Sequence, residues 1–202
     1  MTGRQPYKMS FATGGLMLNE SIEVARLHVP QESWKETTRR ALEHGKTSLP
    51  KAASNRRTLR EISNRLVTLS DAERAFLIED ADFADRQALL WLAICRAYRF
   101  IREFAVEVLR ERYLSYHYHV PLESFDILLD AKAEWDGHLA SLTSSTRFKL
   151  RQVLFRIMRE AGVISQAGQI QAALLSSTLK FMIEEQAPGE LMVFPGLQVY
   201  GA

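Results

Sequence analysis

An all-α fold, a compact multi-helix bundle with helix-turn-helix-like elements, is predicted by three features of the 202-residue sequence. Apolar residues recur at spacings of three and four along most of the chain, which places them on one face of a 3.6-residue period. Ser or Thr stands ahead of several of these periodic runs and Gly or Pro behind them, as helix ends require. No internal repeat or low-complexity tract interrupts the pattern. With 47% hydrophobic and 25% charged residues, a chain of this length can bury a core without covalent staples.

The elements follow in order. Residues 19–28 and 31–44 predict a helical pair, divided by Pro30 and closed by Gly45 in the C-terminal capping position. Residues 46–54 read as a linker or loop. Ser54 then caps a helix in which Leu59, Ile62, Leu66 and Leu69 share one stripe. Ser70 and Glu73 form a capping box for a short helix through about Glu79. A long helical region over 83–115, with a break near Tyr98, is the central core element, so Trp91, Leu92, Cys95 and Phe104 are expected to be deeply buried. Pro121 starts a further helix, roughly to Trp135. Thr143, Ser144 or Ser145 caps a helix through Ala161 that Gly162 ends. Its Leu150, Val153, Leu154, Ile157 and Ala161 face the core, and Phe148 and Phe155 form a second apolar strip. Residues 163–171 predict a small hairpin around Gly168, and a helix over 176–185 completes a pattern like the end of a winged helix-turn-helix module. The chain thus divides into a basic N-terminal helical region, 1–70, and a helical core, 71–202, with a winged-helix-like C-terminal part.

Several function classes drop out. The single Cys95 sits in an apolar run, so it forms no internal bridge and no Cys-based zinc cluster, which suits a reducing, cytoplasmic setting. The N-terminal apolar stretch is short and broken by Gly14 and Gly15, unlike a signal peptide. Ala88–Leu109 is long enough to suggest a membrane span, but it carries Arg96, Arg99, Arg102, Glu103 and Glu107. Each such charge would cost roughly 2.5–3.5 kcal/mol at the bilayer centre, so a soluble protein without membrane contact is expected. His117 and His119 are two apart and do not share a helix face, and Asp80, Asp82 and Asp85 lack the spacing and glycine of an EF-hand. Gly14-Gly15 is followed by no GK[ST], and no GxSxG occurs. Without an assembled acid, base, nucleophile or ligand set, the expectation is a protein that is not an enzyme and needs no cofactor or metal.

Charge distribution carries the positive signal. Residues 1–70 hold 12 Lys/Arg against 6 Asp/Glu, a net +6; residues 71–140 hold 8 against 14, a net −6; residues 141–202 hold 6 against 4, a net +2. Two basic flanks around an acidic middle are the footprint of a nucleic-acid surface, or of solvated helix faces that differ in sign. The helix after Ser54 carries Arg56, Arg57, Arg60, Asn64 and Arg65 off the leucine stripe, offset by Glu61 alone. Arginine forks suit phosphate or guanine and an amide suits adenine, so this face is the first candidate interface. The helix from Ser145 carries Arg147, Lys149 and Arg151 near its start, then Arg156 and Arg159, with one acid, Glu160. Arg147, Lys149 and Arg151 are the second candidate set, read equally well as structural cations because the basic residues surround the helix.

Three long segments make a family resemblance visible: SFATGGLMLNES at 10–21, LLWLAICRAYRFIREFAVEVLRERYLS at 89–115, and FDILLDAKAEWDGHLASLTSSTRFKLRQVLFRIMREAGVIS at 125–165. Across nearly its whole length the chain resembles the BrxA family of BREX bacteriophage-exclusion systems. The resemblance implies a small all-helical protein without enzymatic activity that binds DNA. It also implies that the gene lies beside those of the system's methyltransferase, ATPase and phosphatase-like components. At the level of the fold the family is similar to the RNA-binding antitermination factor NusB. The resemblance assigns no DNA-contacting residues, so the eight site residues rest on charge. Double-stranded DNA and other BREX subunits are the expected partners. A protein-interaction adaptor working through the acidic 71–136 region, and RNA binding by analogy of fold, stand as alternatives.

Overall fold

The most apolar stretch of the sequence becomes the buried central helix of the fold. The computed structural model describes residues 6–44 and 52–197. Within them run α1 (Leu18–Leu27), α2 (Trp34–His44), α3 (Ala52–Leu66), α4 (Asp71–Glu79) and α5 (Phe83–Ala97). They are followed by α6 (Arg99–Glu103), a π-helical turn (Phe104–Arg110), α7 (Glu111–Leu114), α8 (Glu123–Ala133) and α9 (Gly137–Ala140). The chain ends in α10 (Ser144–Glu160), α11 (Ser177–Gln186) and a 3₁₀ turn (Pro188–Val193). In α5 every residue from Ala88 to Cys95 is buried, the signature of a helix enclosed on all sides. Trp91, Leu92, Cys95 and Phe104 are all at most 1% exposed, as the sequence predicts.

The expected break at Tyr98 is there: its backbone is extended, at φ −130° and ψ 99°, between α5 and α6. Its ring is fully buried and its hydroxyl donates to both oxygens of Glu61, at 2.7 and 2.6 Å. α3 packs on both α2 and α5, and α10 packs on α5 and α8. Ahead of α1, residues 7–16 form a strap across these helices. The Tyr7 hydroxyl donates to Glu103 at 2.5 Å, Phe11 meets Tyr98 edge to face, and the Leu16 amide donates to Glu160 at 2.5 Å. A Cβ at Gly15 would run into the Glu160 carboxylate that makes this last contact.

Capping chemistry fixes several of the boundaries. Ser70 and Glu73 form the reciprocal capping box, Thr143 caps α10 and Gly162 follows it at φ +68°. The acidic 80–85 loop is structural: Asp82 caps α5, and buried Asp85 accepts the Ser176 amide at 3.0 Å, tying the start of α5 to that of α11. A partly buried ion network, in which Arg96 reaches Glu73 at 2.8 Å and Glu190 at 2.6 Å, secures the C-terminal turn. Trp91 Nε1 also donates to the Val193 carbonyl at 2.9 Å.

Four expectations are corrected. α3 begins at Ala52, so Ser54 lies inside the helix instead of capping it; Gly45 lies outside the described residues. α2 starts at Trp34, where Ser33 accepts the Glu36 amide, and Gln31 ahead of it is left-handed at φ +70°. The hairpin over 163–171 is reduced to the isolated bridges Ile164–Ile170 and His119–Gln169, since the chain turns away at Ala173 to bond the Pro195 carbonyl. Phe148 and Phe155 do not form one strip: Phe155 is buried against Phe104, whereas Phe148 is exposed under Arg151. Among the described residues no helix is long and apolar enough to cross a membrane.

Candidate nucleic-acid interface

The leucine stripe of α3 fixes what its other faces can do. With Leu59, Ile62 and Leu66 at most 1% exposed against the core, residues 56, 57 and 60 are turned outward, and Arg56, Arg57 and Arg60 are all exposed. None of the three is held by a carboxylate among the described residues. Elsewhere, Arg39 bonds Glu36 and Glu43, Arg40 bonds Glu32, and Arg74 bonds Asp71. Arg56 and Arg60, one turn apart, line a groove of about 480 Å³ between α2 and α3, with Trp34, Lys35, Leu42 and Val67.

Arg65 is a correction. It is 1% exposed, and its Nε donates to Glu61 at 2.7 Å while Nη1 donates to the Gly15 carbonyl at 2.7 Å. Glu61, the acid read as offsetting the exposed arginines, is itself buried with Arg65 and Tyr98. Position 65 lies three residues after the buried Ile62 and one before the buried Leu66, so its side chain enters the core beside them. Asn64 is half-buried and engaged: its Oδ1 accepts from Lys8 Nζ at 2.5 Å, and Lys8 lies over the Tyr98 ring.

The second candidate set divides in two. Arg147 bonds Asp130 at 2.6 Å, and Arg151 bonds Asp126, a two-rung ladder that fastens α10 to α8. Lys149 stays exposed and belongs to a different stripe, with Gln152, Arg156 and Arg159 at offsets of three, seven and ten. That stripe lines a groove of about 620 Å³ beside Ala12 and Gly14 of the strap. Arg159 lies over the Phe155 ring at 6.0 Å, and Arg156 keeps a loose pair with Glu160 at 3.6 Å. The missed residues, Arg156 and Arg159, are legible in that spacing.

Among the described residues no three His, Cys, Asp or Glu side chains gather as a metal site. Burial pushes the Cys95 thiol well above its ordinary range, leaving it without nucleophilic character.

A family model described as BrxA matches residues 5–187. The crystal structure of an uncharacterized protein from Magnetospirillum magneticum superposes with a TM-score of 0.76 at 19% identity, covering 94% of this chain and 98% of that one. At that identity the likeness concerns the fold alone. No curated protein matches.

Proposed function

The chain belongs to the BrxA family, which ties it to the BREX phage-exclusion systems, and on that premise we propose that it is a non-enzymatic accessory subunit that binds duplex DNA through phosphates. The observation that carries this reading is the α3 face, where Arg56, Arg57 and Arg60 are exposed on one rigid helix without a carboxylate partner among the described residues. A guanidinium left unpaired is free to take phosphate bidentately, and three on one helix neutralise neighbouring charges of a backbone. Lys149, Arg156 and Arg159 on α10 form a second, subsidiary face. Few groups here suit base-edge readout, because Asn64 is committed to Lys8, so sequence preference is weak and salt dependence strong.

The test is an electrophoretic shift with duplex DNA across a salt series. The parent should lose affinity steeply with salt. The Arg56→Ala/Arg57→Ala/Arg60→Ala variant should have a log–log slope smaller by about 0.9 for each phosphate it no longer neutralises, up to about 2.7 in all. Arg147→Ala/Arg151→Ala should leave the slope unchanged, because those side chains already hold α8. A parent slope near zero, or a triple variant that binds like the parent, would overturn the proposal. RNA that outcompetes duplex DNA at equal salt would reassign the surface to RNA.

A further inference from the structure

The groove between α2 and α3 has chemistry that a phosphate backbone does not use. Its α2 wall is Trp34, Thr38 and Leu42, one residue per turn, and its α3 wall runs from Arg56 and Arg60 through Ser63 to Val67. The walls meet over small groups: Ala41 is buried, and the Thr38 and Ser63 hydroxyls pair at 2.9 Å. Those two hydroxyls satisfy each other, so Trp34, Leu42 and Val67 give the groove an apolar floor, and Val67 leaves 53% of its surface to solvent. The rim is cationic. Lys35, Arg56 and Arg60 border the groove with no carboxylate partner among the described residues, while Arg39 is already satisfied by Glu36 and Glu43. At about 480 Å³ the cleft has the size of an ordinary ligand pocket, roughly 300–1,000 Å³.

We propose that this groove docks an acidic amphipathic helix of a partner protein, its apolar side chains on the Trp34–Leu42–Val67 floor and its carboxylates on Lys35, Arg56 and Arg60. Charge complementarity selects this occupant. Duplex DNA matches the rim but offers the apolar floor nothing, and an apolar helix without acids leaves three cations facing uncharged surface. The chain's own connection between α2 and α3, residues 45–51, carries Lys46 and Lys51 and no acid, so it shares the sign of the rim. The inference rests on the DNA reading in one respect: Arg56 and Arg60 serve both ligands, so helix and duplex exclude each other, and the partner regulates DNA release.

The test uses the full chain and a fluorescein-labelled designed helical peptide with Leu at spacings of three and four and Glu on the flanks, read by anisotropy. The control is the same peptide with every Glu replaced by Lys. The acidic peptide should bind and the basic one should not. Val67→Arg fills the groove and adds a cation at an exposed position. It should weaken the acidic peptide at least about tenfold, while duplex binding is kept or tightened. Arg56→Glu/Arg60→Glu should weaken both ligands. Unlabelled duplex should displace the peptide. Equal binding of acidic and basic peptides, or a Val67→Arg variant that binds the acidic peptide like the parent, would overturn the docking site. So would a parent dimer that Val67→Arg dissociates in light scattering, since the occupant would then be a second copy. Peptide binding that follows the prediction in a chain that shifts no duplex at low salt would overturn the DNA reading and the exclusion, leaving the docking site standing. An Arg→Glu variant with a lowered melting temperature is replaced by Arg56→Gln/Arg60→Gln, with the same expectation.

Discussion

Arg65→Ala should destabilise the protein severely, although Arg60→Ala, little more than one turn earlier on α3, should barely register. The Arg65 guanidinium is 1% exposed and supplies one bond to Glu61 and one to the Gly15 carbonyl, each 2.7 Å. Removing it leaves the Glu61 carboxylate, 7% exposed, with the Tyr98 hydroxyl but no countercharge. Breaking a buried pair from one side costs about 3–5 kcal/mol, and for a chain of this size each kcal/mol lowers the melting temperature by about 2–4 °C. The expected loss is therefore about 6–20 °C by circular dichroism, with a lowered urea midpoint followed by tryptophan fluorescence. Arg60→Ala, an exposed substitution, should stay within about 0.5 kcal/mol. The double variant Glu61→Leu/Arg65→Leu removes both charges and should recover part of the loss, since a hydrophobic pair is often as stable as the ion pair, while the Gly15 carbonyl and the Tyr98 hydroxyl lose these partners. If Arg65→Ala melts within a degree or two of the parent, the Glu61–Arg65–Tyr98 cluster is solvated and the division of α3 into a buried and a free arginine face is wrong.

Trp91→Ala should cost about 3–5 kcal/mol, because it empties a fully buried site and strands the Val193 carbonyl; a urea midpoint close to that of the parent would show the axis of the core to be misplaced. Acid should destabilise the protein through Glu73 and Glu103. Burial acts to raise both carboxyls, but the Arg96 guanidinium and the Ser70 amide at Glu73, and Tyr7, Arg99 and Lys132 at Glu103, outweigh it and hold both below the ordinary 4.5. A folded-state value below the unfolded one contributes stability that is present above pH 4.5 and is lost as pH falls through the depressed values. Melting temperature should therefore fall steeply on the acid side, and Glu73→Gln should flatten that limb; an unchanged acid limb would sink the assignment.

Local signals determined the helices. The three-and-four spacing of Leu59, Ile62 and Leu66, the Ser70–Glu73 box, the break at Tyr98 and Gly162 behind α10 all act within one or two turns, so the sequence specifies them without knowledge of the rest. The same periodicity separated the outward arginines Arg56, Arg57 and Arg60 from the core stripe, and the family resemblance was legible because it rests on long segments. Partnership across the chain was decided only by the tertiary structure. Arg65 looked like its neighbours until the strap brought the Gly15 carbonyl, fifty positions away, to its guanidinium. Arg147 and Arg151 read equally well as binding or structural cations until α8 set Asp130 and Asp126 against them, and Arg156 and Arg159 joined the candidate face once Lys149 was seen to share their groove. An isolated helix shows which residues share a face, but whether a charge on that face is neutralised depends on Coulomb partners within a few ångströms, brought there by packing between distant segments.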